Sequence, residues 1–154
     1  RLKVILAEVG RMVAVTGIDR SDGSTPLAAQ LAVALAATDE SPVLVIDGNV
    51  QEPRLHDIFG APQQPGILDL MEERSDLAAA TRSLDMNNLF LLPAGHASVS
   101  LAPLLSRPTA SRVFAEIRRI YRYVILDAGV ILVLMKVVYR IQMKTKLFYA
   151  ESIA

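Results

Sequence analysis

The sequence predicts an α/β fold, a mostly parallel sheet with helices on both faces. Three observations carry this. Apolar, β-branched runs alternate with helical stretches along the chain. Two of those runs, 43–46 and 123–126, stop at an aspartate, Asp47 and Asp127, as buried parallel strands do at a carboxyl edge that binds ligands. Between the first run and a long Ala/Leu-rich stretch lies a polar turn, Gly17-Ile18-Asp19-Arg20-Ser21-Asp22-Gly23-Ser24-Thr25-Pro26. A strand, a glycine-containing turn and a helix N-terminus form the setting of a phosphate-binding loop.

Residues 12–16 read as a short buried strand that ends at the turn. Residues 25–37 are rich in Ala and Leu and nearly free of β-branching, which makes a helix. Thr25 is placed to cap it, and Pro26 suits its first turn, where a missing N–H breaks no ladder bond. Ser41-Pro42 breaks the chain before the strand at 43–46. A short helix follows Pro53 and runs to Phe59, stopped by Gly60 and Pro62. Pro65-Gly66 marks a turn, residues 67–73 form a further short helix, and Ser75-Asp76 caps another over 77–83.

Residues 88–92 return to strand character until Pro93-Ala94-Gly95. Pro108 opens an amphipathic helix over 109–121, with Val113, Phe114, Ile117 and Ile120 at helical spacing and Arg118 and Arg119 in its last turns. The strand at 123–126 closes the pattern. Residues 130–154 read in two ways: a strand over 130–135, or one helix with Lys136, Arg140 and Lys144 on a single face. The domain division is a lead-in at 1–10, a domain at 11–129 and a divergent tail at 130–154.

Composition narrows the function classes. The 154 residues suffice for one domain with a substantial core. Hydrophobic residues are 52% and charged residues 21%, with mean hydropathy +0.36, which argues against disorder. Sixteen basic and sixteen acidic side chains balance to zero, so no global field recruits nucleic acid. Without cysteine there are no disulfides and no thiolate metal sites. No run of about 18 apolar residues occurs, so no transmembrane segment is expected. The chain begins at Arg1 rather than Met and reads as a fragment of a cytoplasmic protein.

Asp47, Asp127 and the loop before residue 25 would gather at one edge of such a sheet. Strand-end carboxylates beside a phosphate loop suit magnesium, held largely through water, and nucleotide chemistry. Taken singly, each aspartate more readily reads as a carboxylate that caps a turn. His56 and His96 lack further ligands at metal spacing. Ser21, Ser24 and the histidines match no nucleophile motif. Tyr139 and Tyr149 in the tail read as packing residues, and the basic stripe of the tail as a solvated face.

The blocks Val13-Ala14-Val15-Thr16, Leu27-Ala28-Ala29-Gln30-Leu31-Ala32-Val33-Ala34-Leu35-Ala36 and Val43-Leu44-Val45-Ile46-Asp47 resemble the bacterial tyrosine kinases. These are the BY-kinases of the capsular and exopolysaccharide family, related to MinD/ParA-type P-loop ATPases. The likeness continues through Pro53-Arg54-Leu55-His56-Asp57-Ile58-Phe59-Gly60, Pro65-Gly66-Ile67-Leu68-Asp69-Leu70, Leu91-Leu92-Pro93-Ala94-Gly95 and Tyr121-Arg122-Tyr123-Val124-Ile125-Leu126-Asp127. It covers roughly residues 11 to 129, and the ordered set is more specific than any single block.

The resemblance implies a P-loop NTPase-like fold, truncated at the C-terminus because the likeness ceases near Val130. It implies ATP or ADP with magnesium as cofactors. Asp47 and Asp127 take the catalytic positions. Arg20, Ser21, Asp22, Gly23, Ser24 and Thr25 form the nucleotide loop, and Thr25, Asp47 and Asp127 the metal side. The implied partner is a membrane chain-length determinant protein or a second copy of the chain, which would place the protein at the inner face of the membrane.

The departures fall on the same loop. Ser24 occupies the position of the P-loop lysine, Pro26 that of a Thr, and Ser21 that of a glycine. Asn49 replaces the second aspartate of the motif after the second strand, Gln51-Glu52 replaces part of its arginine-rich continuation, and Ala128-Gly129 replaces a proline-rich turn. Arg20 is the candidate replacement cation. The expectation is a regulatory or scaffolding protein of polysaccharide synthesis and export with a degenerate nucleotide site. The alternatives are an active ATP-dependent tyrosine autokinase and a non-functional fragment.

Overall fold

The computed structural model describes residues 3–9, 11–17, 23–96, 101–130 and 146–151. Among the described residues seven strands form one mixed sheet: β1 (Lys3–Val9), β2 (Met12–Gly17), β3 (Val43–Asp47), β4 (Arg82–Ser83), β5 (Leu89–Leu92), β6 (Tyr123–Val130) and β7 (Lys146–Glu151). Their spatial order is β4-β5-β3-β6-β2-β1-β7. The central four, β5, β3, β6 and β2, are parallel, and β4, β1 and β7 pair antiparallel at the flanks.

Parallel strands need crossovers, and here helices supply them. They are α1 (Ser24–Thr38), α2 (Leu55–Phe59), α3 (Ile67–Met71), α4 (Leu77–Ala80), α5 (Leu101–Leu104) and α6 (Pro108–Ile120). Alternate residues of the buried strands serve opposite faces. Val43 and Val45 of β3 pack with Ala28, Ala32 and Ala36 of α1 and Leu55 of α2. Leu44 and Ile46 pack on the other face with Leu68 of α3, Leu77 of α4, Leu101 of α5 and Phe114 and Ile117 of α6. The alanine stripe keeps α1 close to the sheet, which sets its N-terminus beside the ends of β2 and β6.

Several local expectations need correction. Thr25 is not the helix cap: Gly23 takes that place in the left-handed region at φ +72°, and Thr25 lies in the first turn. α4 ends at Ala80 rather than 83, because Arg82 and Ser83 pair with Leu91 and Phe90 of β5. Asp76 does cap that helix, accepting the Ala79 N–H at 2.8 Å. The lead-in holds strand β1, whose residues 4–9 pair with β2 from Val4↔Gly17 to Val9↔Met12. Residues 146–151 are a strand against β1, so a single helix through the whole tail is excluded. Tyr149 stands opposite Ile5 in that ladder, whereas Tyr139, Lys136, Arg140 and Lys144 lie outside the described residues.

Candidate functional site

The sheet brings the two strand-end aspartates together. β3 and β6 are parallel neighbours in register, and Asp47 stands directly beside Asp127. Adjacent strands lie about 4.8 Å apart, so both carboxyl groups occupy one small region. Both residues are fully buried. The Gly48 N–H donates to the Asp127 carbonyl at 2.8 Å and tightens this crossing. A Cβ at Gly48 would stand 2.7 Å from that carbonyl oxygen, which excludes any larger residue without a shift of backbone.

Each carboxylate is held differently. Asp47 Oδ2 accepts the backbone N–H groups of Arg54 (3.1 Å) and Leu55 (3.0 Å). Its Oδ1 is buried with no hydrogen-bond partner. Asp127 Oδ2 accepts the Thr25 hydroxyl at 2.5 Å, and Oδ1 accepts the Gly129 N–H at 3.2 Å. Neither aspartate makes an ion pair among the described residues.

The electrostatic consequence is direct. Burial, and then the negative charge of Asp127, push the Asp47 carboxyl up to about 7, against the pull of the Leu55, Arg54 and Asn49 amides. Burial also raises Asp127, partly offset by the Thr25 hydroxyl and the Gly129 N–H. Two buried carboxylates with a hydroxyl between helix and sheet are hard oxygen donors without a balancing cation among the described residues. That chemistry fits a divalent ion such as magnesium, completed by water. No group of three or more His, Cys, Asp or Glu side chains placed to hold a metal occurs among the described residues.

The phosphate side is different. Gly23 and Ser24 open the 15-residue α1, whose first-turn N–H groups and dipole favour an anion. Ser24 brings no charge there, and Pro26, in the same turn, brings no N–H. Arg20, Ser21 and Asp22 lie outside the described residues, as does residue 19. Asn49 is half-buried, with its side chain against Gly129. His56 and His96 are elsewhere: His56 Nε2 is 3.3 Å from Asp57, and His96 Nδ1 is 3.1 Å from the Gln64 amide.

Two contributors carried no signal in the sequence. Thr16, fully buried in β2, donates its hydroxyl to the Gly129 carbonyl at 2.8 Å. Gly129, at φ +62°, turns its N–H onto Asp127. A lone Thr at the end of an apolar run and a glycine after Asp-Ala have no pattern of their own.

No protein-family model matches the chain. Curated relatives do. Tyrosine-protein kinase YwqD of Bacillus subtilis is 27% identical over 135 residues, 86% of this chain and 56% of the relative. Tyrosine-protein kinase Wzc of Salmonella typhi is 26% identical over 117 residues, 76% of this chain and 16% of the relative. The chain spans between 16% and 56% of the length of the curated relatives it matches.

Solved structures agree on the fold. The chimerical protein CapA2B2 superposes with a TM-score of 0.79 at 22% identity, over 86% of this chain and 59% of that one. The BceF tyrosine kinase domain gives 0.75 at 24%, over 86% and 53%. A cobyrinic acid a,c-diamide synthase from Mycobacterium smegmatis, with bound ATP analogue and magnesium, gives 0.67 at 23%, over 84% and 55%. The homologues of this chain are bacterial tyrosine-protein kinases, and its fold is that of their kinase domains.

Proposed function

We propose that this chain is a regulatory or scaffolding protein of exopolysaccharide or capsule biosynthesis and export, with a nucleotide site whose metal side is retained and whose phosphate side is degenerate. The carrying observation is the contrast within the first turn of α1. Thr25 reaches Asp127 beside the buried Asp47, while Ser24, its neighbour, carries no charge. A lysine at that position would make charge-assisted bonds to the outer phosphates, each contributing about 1.5–3 kcal/mol. Its loss weakens nucleotide affinity by roughly two to three decades, at about 1.4 kcal/mol per decade. It also removes stabilisation of the charge that develops on a transferred phosphoryl group.

The named relatives support the polysaccharide context. By that likeness the partner is a membrane chain-length determinant protein, or a second copy of this chain, and the working place is the inner face of the membrane. Among the described residues no helix is long and apolar enough to cross a membrane. The retained Thr25, Asp47 and Asp127 also favour a second reading, an ATP-dependent protein-tyrosine autokinase in which Arg20 replaces the lysine.

Calorimetric titration with Mg·ADP and Mg·ATP, on the parent and on Ser24→Lys, separates them. Weak or undetected binding by the parent and recovery in Ser24→Lys is the expected result. Micromolar binding by the parent overturns the degenerate site and favours the kinase. Failure of both chains to bind assigns the loss to more of the loop than Ser24, including Pro26 and Ser21.

A further inference from the structure

We propose that Thr16 is a positioning residue for the Asp127 carboxylate, acting through a bulge at Ala128–Gly129 rather than by contact. The proposal deepens the reading of Thr25, Asp47 and Asp127 as the metal side of the site, and rests on it.

The register of the β2–β6 ladder carries the argument. Pairing runs evenly to Val15↔Asp127 and resumes at Gly17↔Val130. One residue of β2, Thr16, therefore spans two residues of β6, Ala128 and Gly129, which is the arrangement of a bulge. Bulges next to functional groups re-aim side chains, and here the side chain that precedes the bulge is Asp127.

Thr16 is fully buried, so its hydroxyl must find an acceptor inside the protein. The Gly129 carbonyl receives it at 2.8 Å, against a longer approach of 3.4 Å to the Gly17 carbonyl. That bond holds Gly129 in its left-handed conformation, φ +62°, where a side chain is disfavoured. In this conformation the Gly129 N–H returns to Asp127 Oδ1 at 3.2 Å. Asn49 closes the other side: a Cβ on Gly129 would stand 2.8 Å from its Oδ1.

Asp127 is thus gripped at both oxygens from two elements, by Thr25 of α1 and by its own strand's bulge. Removing the Thr16 hydroxyl frees the bulge and lets the carboxyl group turn. The device depends on an N–H at residue 129, which glycine supplies and proline would not.

The test uses the full chain as parent, Thr16→Val and Thr16→Ser, labelled with 15N. Amide hydrogen exchange at Gly129 is expected to quicken roughly tenfold or more in Thr16→Val, with Ile46 and Leu91 at parental rates and Thr16→Ser close to the parent. In the Ser24→Lys background, Thr16→Val is expected to weaken ADP binding about five- to tenfold with magnesium present and to leave it unchanged with EDTA.

Parental exchange at Gly129 in Thr16→Val overturns the proposal. So does an equal effect of Ser and Val, which would assign the role to methyl packing, and so does an equal loss of affinity with and without magnesium. If Ser24→Lys itself binds no ADP, the loss extends to more of the loop than Ser24, and the exchange at Gly129 alone decides whether Thr16 holds the bulge.

Discussion

The Thr25 hydroxyl lies 2.5 Å from Asp127 Oδ2 and joins two residues 102 positions apart. The contact is buried at both ends, Thr25 being 6% exposed and Asp127 fully buried. A hydroxyl donated to a desolvated carboxylate is worth more than a neutral hydrogen bond, about 1.5–3 kcal/mol. Thr25→Val should therefore lower the urea-unfolding free energy by about 1–3 kcal/mol at pH 8. Thr25→Ser should stay within about 0.5 kcal/mol of the parent. Equal midpoints for Val and parent would mean that the contact contributes nothing to stability.

The raised carboxyl of Asp47 makes stability depend on pH. Its folded value of about 7 exceeds the ordinary 3.8, so between those two pH values the folded chain binds more protons than the unfolded one. The contribution of Asp47 to stability is then highest below about pH 4, declines as pH rises to 7, and carries its full penalty above 7. The upward shift of Asp127 acts with the same sign. With EDTA present, Asp47→Asn should unfold later than the parent at pH 8 and alongside it at pH 4. The gain at pH 8 is a few kcal/mol at most, on the order of 1.4 kcal/mol per pH step of the shift. Equal unfolding midpoints for parent and Asp47→Asn at pH 8 would contradict this.

Two glycines at turns should respond in opposite degrees to Ala. A Cβ on Gly66 would meet the Gly95 nitrogen and the Pro93 oxygen, both at 2.2 Å, where two loops interlock. Backbone on both sides leaves nothing flexible to move, so Gly66→Ala should cost about 3 kcal/mol or more. Gly60 ends α2 at φ +62° with nothing within 4 Å of its would-be Cβ. Only the left-handed conformation resists there, and Gly60→Ala should cost about 1–2 kcal/mol. Chemical denaturation of both variants orders them, and equal costs would refute the interlock.

The two faces of α6 offer a further contrast. Phe114 is 2% exposed, and its cluster includes Ile117 and Tyr121, whose ring meets Phe90 edge-on at 5.6 Å. Phe114→Ala should cost about 3–5 kcal/mol through the cavity it leaves. Ile120 is 45% exposed, and Ile120→Ala should stay within about 0.5 kcal/mol. Thermal melts of both variants, with far-UV circular dichroism to confirm the helix, decide the ranking.

Much of the fold was legible because its signals are local. The runs before Asp47 and Asp127, the helix after Gly23, and the stop at Gly60 follow from neighbours within a few residues. The misreadings occurred where a distant partner overrode propensity. Residues 82–83 suited a helix until Leu91 and Phe90 offered ladder bonds. Thr25 suited a cap until Asp127 offered an acceptor, and the left-handed Gly23 freed it to turn inward. β1 and β7 had no strand signal strong enough to stand alone, since each pairs antiparallel with a segment whose identity is set elsewhere.

By itself the sequence determined the alternation of strands and helices, the strand-end positions of both aspartates, and the uncharged side chain at Ser24. Hydrophobic periodicity and residue identity act at short range and need no knowledge of the fold. Only the tertiary structure decided that Asp47 and Asp127 stand in register, that burial raises both carboxyl groups and the charge of Asp127 raises Asp47 further, and that Thr16 grips the bulge behind Asp127. Those facts depend on strand order and register, which join residues some 80 to 110 positions apart and are written in no single stretch of chain.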